Sequence, residues 1–322
     1  MEHLEKGQVN AEQLSGRQLS VGLTVAGLSP AAALAGEASW PWLVFWCGVG
    51  VALAWLTLRR VGDRAVFQGA SGTMLSILYK VGAVILAARA LSRAAGRLEL
   101  SSGGSPRVWL LLILAVPLFV IAWGKAAPFF RMTEVLWLAM AVALALILVF
   151  GFVRVEWQYV SIPSEDWSGS LWVACEILSP ALFLLPYIYK GEPRNNGRGI
   201  VWMSVLSAVS AALCLITGGI LGRAAEQVPH SFYVAAGLLG KSARCEGLLS
   251  VLWLLPDLTL AALVCRVWGE RKWPALGAAL AVLLALTGLP GKISEEICGI
   301  GILFLWVLTL FLPGKFKNSG SK

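Results

Sequence analysis

The sequence predicts an all-α, polytopic membrane protein with about ten transmembrane helices, arranged as two halves of five. Three observations support this prediction: an apolar composition, a series of apolar segments, and one tetrapeptide that recurs in both halves. Hydrophobic residues make up 58% of the chain and charged residues only 14%, and the mean hydropathy is +0.76. Soluble domains carry about 25% charged residues, so this composition excludes an ordinary soluble domain.

The apolar residues are gathered into segments that could each cross a bilayer. A helix needs roughly 20 mostly apolar residues to span the hydrocarbon core. The candidate segments are residues 18–37, 41–58, 71–92, 108–124, 132–153, 169–189, 200–221, 247–268, 274–290 and 297–313. Residues 1–16 are polar and of mixed charge, which is typical of a short cytoplasmic tail and not of a cleavable signal peptide.

The distribution of basic residues predicts that both termini are cytoplasmic. The 26 lysine and arginine residues divide unevenly between the two sides of a ten-span chain, and the larger share lies on the side of the termini. Basic residues in short loops are retained on the cytoplasmic side. The basic stretch 89–107, interpreted as the loop after span 3, is the main exception. A membrane surface thus accounts for the net charge of +8, and no nucleic-acid partner is expected.

No motif in the chain indicates an enzyme, a cofactor or a metal centre. Nucleotide-binding glycine motifs, a serine–histidine–aspartate set and zinc-protease spacings are missing from the sequence. The two histidines, His3 and His230, cannot form a metal cluster by themselves. The cysteines are scattered without metal-ligand spacing and are interpreted as apolar packing residues; they are Cys47, Cys175, Cys214, Cys245, Cys265 and Cys298.

The tetrapeptide Leu-Ser-Pro-Ala occurs at 28–31 in span 1 and again at 178–181 in span 6. Five spans in each half give the halves opposite orientations, which is the condition for an inverted repeat. The predicted division is residues 1–165, with the N-terminal tail and the first repeat, and residues 166–322, with the second repeat and a short C-terminal tail. Interrupted helices at corresponding positions of two halves indicate a transporter-type binding site.

The two prolines predict broken helices that line a ligand site. Proline removes a backbone donor and displaces the carbonyl one turn earlier, and such breaks in a bilayer are tolerated where they are buried or line a cavity. The alternative is coincidence, because proline kinks are common in membrane helices. The predicted ligand-binding residues are Gly27, Ser29, Pro30, Glu176, Ser179 and Pro180.

Charged residues within the spans predict a buried charge network of Lys80, Glu134 and Asp257, with Glu176 at its edge. Ionisable groups at membrane depth face a partner or a wet cavity. We expect Lys80 to pair with Glu176 or Asp257, and Glu134 to pair locally with Arg131 in preference to contacting a ligand. For Lys80, Glu176 and Asp257, structural pairing and a ligand or proton role both stay open.

An ordered set of local patterns resembles the B-subunit family of spore germinant receptors, within the amino acid–polyamine–organocation transporter superfamily. "LSGRQL" (14–19) is similar to that family's entry to span 1, and "AGEASWPW" (35–42) to the exit from it. Residues 105–136 resemble its proline-rich entry to span 4 and the Arg-x-x-Glu that opens span 5. Residues 228–253 resemble its proline-containing helix outside the spans and the tryptophan of span 8.

The resemblance implies a LeuT-like fold with five-plus-five inverted repeats. It also implies a receptor subunit of the spore inner membrane, or otherwise of the bacterial cell membrane, that binds a small polar nutrient such as an amino acid or a sugar. The implied partners are a larger A subunit and a C-subunit lipoprotein. Two alternatives stay open: a proton- or cation-coupled amino-acid transporter of the same fold, and a non-sensing assembly subunit. The short interval between Gln18 and Trp40 is the observation that supports a non-sensing assembly subunit.

Overall fold

The computed structural model describes residues 16–61, 64–65, 69–160, 167–188, 196–239, 249, 251–268, 273–291, 293–311 and 315–316. In the first half the helices are α1 (Gly16–Ala33), α2 (Trp40–Val61), α3 (Gly69–Ser101), α4 (Arg107–Trp123), α5 (Ala126–Arg154) and the short α6 (Trp157–Val160). In the second half they are α7 (Trp167–Ile188), α8 (Asn196–Leu221), the short α9 (Ser231–Leu239), α10 (Leu254–Cys265), α11 (Trp273–Leu286) and α12 (Glu295–Phe311).

Short irregular elements complete the described chain. Single 3₁₀ turns cover Gly222–Glu226, Arg266–Trp268 and Leu289–Gly291. The strands β1 (Arg64–Ala65) and β2 (Lys315–Phe316) pair antiparallel, with Arg64 opposite Phe316.

Each of the ten predicted apolar segments coincides with one helix, so the predicted all-α, polytopic membrane fold is confirmed. By length and composition alone, four described stretches are long and apolar enough to cross a membrane: Trp40–Thr57, Gly72–Ser101, Pro128–Arg154 and Gly199–Glu226. Large apolar side chains are exposed on the surface of the bundle, including Val153 at 82% and Phe311 at 76%. Lipid chains would cover such faces in a membrane.

The largest difference from the sequence prediction is the length of α3. The helix continues past the predicted end at 92 as far as Ser101. Most residues of the additional turns are alanine, arginine, leucine or glutamate, which favour helix. The arginines in these turns suggested a loop, yet Arg89 and Arg97 are almost completely buried in the bundle. Their assignment to an outer loop was therefore wrong, and they do not count in the distribution of loop charges.

The helix contacts occur in reciprocal pairs, as five-plus-five repeats produce. When α1 to α5 are matched with α7, α8, α10, α11 and α12, the contact of α1 with α8 corresponds to that of α7 with α2. The contact of α1 with α5 likewise corresponds to that of α7 with α12, and α3 with α11 to α10 with α4. The chain boundary between 165 and 166 itself stays a prediction.

Helices α1, α3 and α10 form the centre of the bundle. Small residues on α3 (Ala83, Ala87, Ala90 and Ala94) are completely buried and allow neighbouring helices to approach closely. Residues 260–265 of α10 are at most 1% exposed, so this helix is surrounded by protein on all sides. A charged group on the buried faces of these helices must find its partner inside the protein.

Candidate functional site: a charge network along α3

Three arginines of α3 form the positive side of a buried charge network. Arg89, Arg93 and Arg97 are four residues apart, so they lie on one face of the helix. Their side chains are 4%, 12% and 1% exposed, respectively. Buried guanidinium groups require charged or hydrogen-bonding partners, and these come from helices of the second half.

The innermost contact joins Arg97 to Asp257. Asp257 lies in the first turn of α10 and is completely buried. The Nη2 atom of Arg97 donates to one carboxylate oxygen of Asp257, and the hydroxyl of Ser29 on α1 donates to the other. The guanidinium also lies over the Tyr233 ring, 4.6 Å from its centroid. One carboxylate thus connects α1, α3 and α10.

The other two arginines converge on Glu176 of α7. Arg89 donates through Nε and Nη2 to both oxygens of this carboxylate, at 3.2 Å each, and Arg93 donates through Nη1 at 2.6 Å. Arg89 also donates to Glu295, the first residue of α12, at 2.6 Å, and to the carbonyl of Ile293. Arg89 therefore bridges α7 and α12.

Together, three guanidinium groups face three carboxylates, and the charges balance. The removal of one member of a buried pair typically costs about 3–5 kcal/mol, because the remaining charge is stranded. The cations all come from the first half of the chain, and the carboxylates all come from the second. The network therefore connects the two halves through groups that are satisfied only together.

The predicted interruptions of the helices are wrong. Helix α1 is continuous through Pro30, and α7 is continuous through Pro180. After Pro30, the Leu34 amide donates to the Pro30 carbonyl at 2.9 Å, so the next turn is regular. The Trp253 indole donates to the Leu28 carbonyl at 3.4 Å. This contact ties α1 to the residue before α10, but it does not replace the hydrogen bond that Pro30 removes, which would have gone to the Ala26 carbonyl.

The two Leu-Ser-Pro-Ala stretches do lie against each other, but by close packing. A Cβ atom added to Gly27 would lie 2.3 Å from Leu206 Cδ2 and 3.1 Å from the Ile177 carbonyl oxygen. The Ser179 hydroxyl donates to the Glu176 carbonyl at 2.7 Å, which satisfies it within α7. A ligand role for Gly27, Ser29, Pro30, Glu176, Ser179 and Pro180 stays a prediction.

The predicted pairing of Lys80 with Glu176 or Asp257 is wrong. Both carboxylates are held by the α3 arginines, and neither forms an ion pair with Lys80. Lys80 is half-buried. The error follows from the interpretation of 89–107 as a loop, which left Lys80 as the only cation within span 3.

Glu134 is paired with a different arginine from the predicted one. Its carboxylate accepts from Nε of Arg17, in the first turn of α1, at 2.7 Å. Arg131 is exposed and does not form this contact. Because the Arg17 side chain is 71% exposed, the pair belongs to the surface and not to the buried network. Pairs of this kind contribute little to stability.

A cleft of about 280 Å³ opens beside the network. We call it the α3 cleft; its walls include Arg89, Ser92, Arg93, Arg107, Ser294 and Glu295. An adjoining groove of about 480 Å³ shares Gly96 and His230 with it. The network is thus accessible from one end of the bundle and enclosed at the other.

Two titratable groups outside the helices lie close to this cleft. Desolvation by the surrounding protein, together with the negative charges of Glu295 and Glu176, raises the pKa of Glu37 to about 7, although its side chain is exposed at the surface, where solvent screens part of this effect. Glu37 lies in the connection between α1 and α2. Burial and the nearby Arg97 lower the pKa of His230 to about 4. His230 is therefore neutral at physiological pH, whereas Glu37 titrates there.

Within the described residues, no group of three histidine, cysteine, aspartate or glutamate side chains could hold a metal ion. The described cysteines are free thiols, and four of the five are buried. Cys245 and His3 lie outside the described residues.

Sequence reasoning missed the three arginines, although a signal for them was present. Arg89, Arg93 and Arg97 repeat every four residues in a stretch that is otherwise rich in alanine and leucine. This spacing indicates one face of a continuing helix. The sequence around Glu295 carries no comparable signal, because acidic residues are common in the first turn of any helix.

The sequence matches no protein-family model and no curated protein. The structure is similar to that of a transporter of the nucleobase-cation-symport-1 family, solved in a closed conformation with bromovinylhydantoin bound. The TM-score is 0.61 at 12% sequence identity, and the match covers 91% of this chain and 75% of the transporter. At this identity the similarity shows the fold alone. The chain is therefore an integral membrane protein with the LeuT-like transporter fold.

Proposed function

We propose that this chain is the integral membrane subunit of a nutrient-germinant receptor in the spore inner membrane. It binds a small polar nutrient, an amino acid or a sugar, and passes a conformational change to an A subunit and a C-subunit lipoprotein. The ordered motifs of the sequence support this family. The observation in the structure that carries the proposal is the charge network that connects the two halves through Arg89, Arg93 and Arg97.

A receptor needs two conformations whose balance a ligand can shift. The network contains a contact that could be made in one conformation and broken in the other, because Arg89 holds α7 and α12 to α3 at the same time. Movement of either helix away from α3 separates buried opposite charges unless another group replaces them. A bound ligand that offers such a group favours the second conformation. Helices α1 and α7 are continuous and closely packed at Gly27. The Arg89 contact is therefore a better candidate for a switch than the two proline positions.

A second candidate is a proton- or cation-coupled amino-acid transporter. The fold favours it, because the similar solved structure is a transporter with a small molecule bound. The two functions differ in whether the ligand crosses the membrane. The dense packing of α1 against α8 and α7 at Gly27 supports a subunit that senses without transport.

The proposal is tested in spores and in liposomes. Spores that carry Glu176→Gln should lose the nutrient response mediated by this chain at matched protein levels, while their response through a different receptor persists. Arg131→Gln is the control, because Arg131 is exposed and lies outside the network. Proteoliposomes with the purified chain should show no gradient-driven amino-acid uptake.

Three outcomes distinguish the candidates. Gradient-driven uptake would identify a transporter and contradict the receptor. If spores with Glu176→Gln and spores that lack the chain both germinate normally, the chain is not a receptor subunit. Loss of the A subunit from the membrane in spores without the chain, combined with normal germination of the Glu176→Gln spores, would identify an assembly subunit.

A further inference from the structure

We propose that the α3 cleft is a binding site for a small molecule with one carboxylate group, held by Arg93 and Arg107. An α-amino acid fits the site best, because Glu295 on the opposite wall can accept its ammonium group. This inference deepens the proposed function, on which the ligand's role as a nutrient rests. It places the ligand at one end of α3, away from the packed contact of α1 with α7.

The size of the cleft restricts the ligand. Sites for drug-sized molecules measure about 300–1,000 Å³, whereas the α3 cleft measures about 280 Å³. A molecule with a few heavy atoms fits this volume, while a larger one would extend into the adjoining groove. Polar and charged groups supply much of the wall, which favours a charged ligand over an apolar one.

Arg93 has an unoccupied edge that suits a carboxylate. Its Nη1 atom donates to Glu176, but its buried Nε and Nη2 atoms have no hydrogen-bond partner in the described part of the chain. Buried donors without partners are energetically unfavourable. Arg89, one turn earlier, uses the same Nε–Nη2 edge to hold both oxygens of Glu176. A ligand carboxylate can form the same two-point contact with Arg93.

Arg93 lines the cleft, but the Nε and Nη2 atoms of its free edge are buried. Its side chain is 12% exposed, so the guanidinium must turn toward the cleft to hold a ligand. That rotation would remove one of the two arginines from Glu176. Ligand binding at the cleft thus weakens the hold of α3 on α7, which links the site to the network.

Arg107 supplies the second cationic group in a fixed position. It is the first residue of α4, and its Nη2 atom donates to the carbonyl of Ser92 at 2.9 Å and to the Ser92 hydroxyl at 2.6 Å. These two contacts hold the exposed guanidinium at the edge of the cleft. A preorganised cation loses less conformational entropy when it binds an anion.

The charges of the cleft favour a single negative charge or a zwitterion. Arg89, Arg93 and Arg107 contribute three positive charges, and Glu176 and Glu295 offset two of them. Glu295 is engaged through Oε1 with Arg89, and its side chain is 29% exposed. It can therefore contact an ammonium group in the cleft while it keeps the contact with Arg89.

The test is equilibrium binding to the purified full-length chain in lipid nanodiscs. Sodium acetate provides the carboxylate alone, L-alanine the zwitterion, methylammonium chloride the ammonium alone, and sodium sulfate a dianion. We expect acetate and alanine to bind and to compete with each other. Arg107→Gln should weaken both by about tenfold, as for the loss of one charge-assisted hydrogen bond. Glu295→Gln should weaken alanine and leave acetate unchanged.

Arg223→Gln is the matched control, because it removes an exposed arginine that does not line the cleft. It should bind both probes like the wild type. Arg93→Gln provides a second test. Added alanine should raise the Tm of the wild type but not the Tm of this variant. If acetate and alanine do not bind, or if they bind Arg107→Gln and Arg93→Gln as tightly as the wild type, the proposal is wrong. Binding of sulfate without acetate would assign the cleft to phosphate-like groups and also overturn it.

The binding experiment and the spore experiment can fail separately. A chain that binds alanine at the cleft but is dispensable for germination contradicts only the receptor role. A chain that germination requires, but whose alanine binding is insensitive to Arg107 and Arg93, contradicts only the site.

Discussion

Arg97 and Asp257 form the most deeply buried ion pair of the network, at 1% and 0% exposure. Arg97→Met would strand the Asp257 carboxylate with only the Ser29 hydroxyl as a donor. We expect this change to lower the free energy of unfolding by about 3–5 kcal/mol. Arg97→Met combined with Asp257→Asn should recover part of the loss, since the stranded charge is then removed. Denaturant unfolding of the purified protein in detergent measures both effects.

Lys80→Met is the control for this experiment, because it removes a cation from the same helix. Lys80 is half-buried and forms no ion pair with either network carboxylate, so its replacement should change stability by less than about 1 kcal/mol. Equal losses for Lys80→Met and Arg97→Met would contradict the assignment of the buried pair.

Glu37 provides a prediction about pH. Its pKa is about 7 in the folded protein, through desolvation and the nearby Glu295 and Glu176, with Arg93 and Arg89 acting in the opposite direction. The folded state therefore binds this proton more tightly than the unfolded state, in which the glutamate pKa has its ordinary value of 4.5. By linkage, this group makes the folded state less stable as the pH rises from about 4.5 to 7, and the effect levels off above that.

Glu37→Gln removes this pH dependence. The variant should gain stability relative to the wild type as the pH rises through that window, and the difference should be constant above about pH 8. His230, whose pKa is lowered from 6.5 to about 4, makes the folded state more stable as the pH rises through part of this range, but it does so equally in both proteins and cancels in the difference. Parallel Tm curves for the two proteins between pH 5 and pH 8 would show that Glu37 is not perturbed.

At the scale of single residues, the sequence located the buried carboxylates but not their partners. Glu176 and Asp257 stand out because each is an acidic residue within an apolar segment. The prediction of their partners depended on whether residues 89–107 are helix or loop. The three closely spaced arginines of this stretch favoured a loop. Only the three-dimensional arrangement shows that the carboxylates neutralise them.

At the scale of helices, α1 and α7 show why a proline does not fix the local structure. Pro30 and Pro180 each remove one backbone hydrogen bond, which a sequence interpretation takes as a break. Surrounding helices decide the outcome, and both helices are continuous here. The absence of a Cβ at Gly27 allows α1 to approach α8 closely enough for Leu206 to fill the space.

Gly27→Ala tests this close packing. The added methyl group would lie 2.3 Å from Leu206 Cδ2, so the side chain or the helix must shift. We expect a loss of about 1–3 kcal/mol in unfolding free energy, typical of overpacking. Leu206→Ala makes room for the methyl group, so the double variant should be less destabilised than the sum of the two single changes. Additive losses would contradict direct contact between these positions.

At the scale of the whole molecule, ten spans place both termini on the same side of the membrane. Reporter fusions after Lys322 and before Met1 should both be active in the cytoplasm. Activity of one fusion outside the cytoplasm would contradict the ten-span topology. Activity of both outside would reverse the orientation but preserve the fold.

The fold could be predicted from the sequence because apolar length is a property of one segment at a time. All ten segments were found, and the equal division into halves follows from their number. The charge network could not be predicted in the same way, because it joins Arg89 to Glu295 across 206 residues and Arg97 to Asp257 across 160 residues. Such pairings depend on how α3 packs against α7, α10 and α12.

The central claim is that the arginines of α3 hold α7 and α12 against it and so fix the width of the α3 cleft. The most direct test is the distance across the cleft, measured by double electron–electron resonance. Spin labels at Leu100→Cys on α3 and Leu289→Cys before α12 are suitable, since both positions are exposed. Cys175 and Cys245 would be replaced by serine in this background.

We expect one short, narrow distance distribution in the otherwise unchanged protein. Arg89→Gln combined with Arg93→Gln should broaden it and move it to longer distances, because Glu176 then loses both of its arginine partners and Glu295 loses Arg89. Lys80→Met, on the same helix, should leave the distribution unchanged. The same short and narrow distribution in the double arginine variant would contradict the claim that these ion pairs hold α7 and α12 against α3.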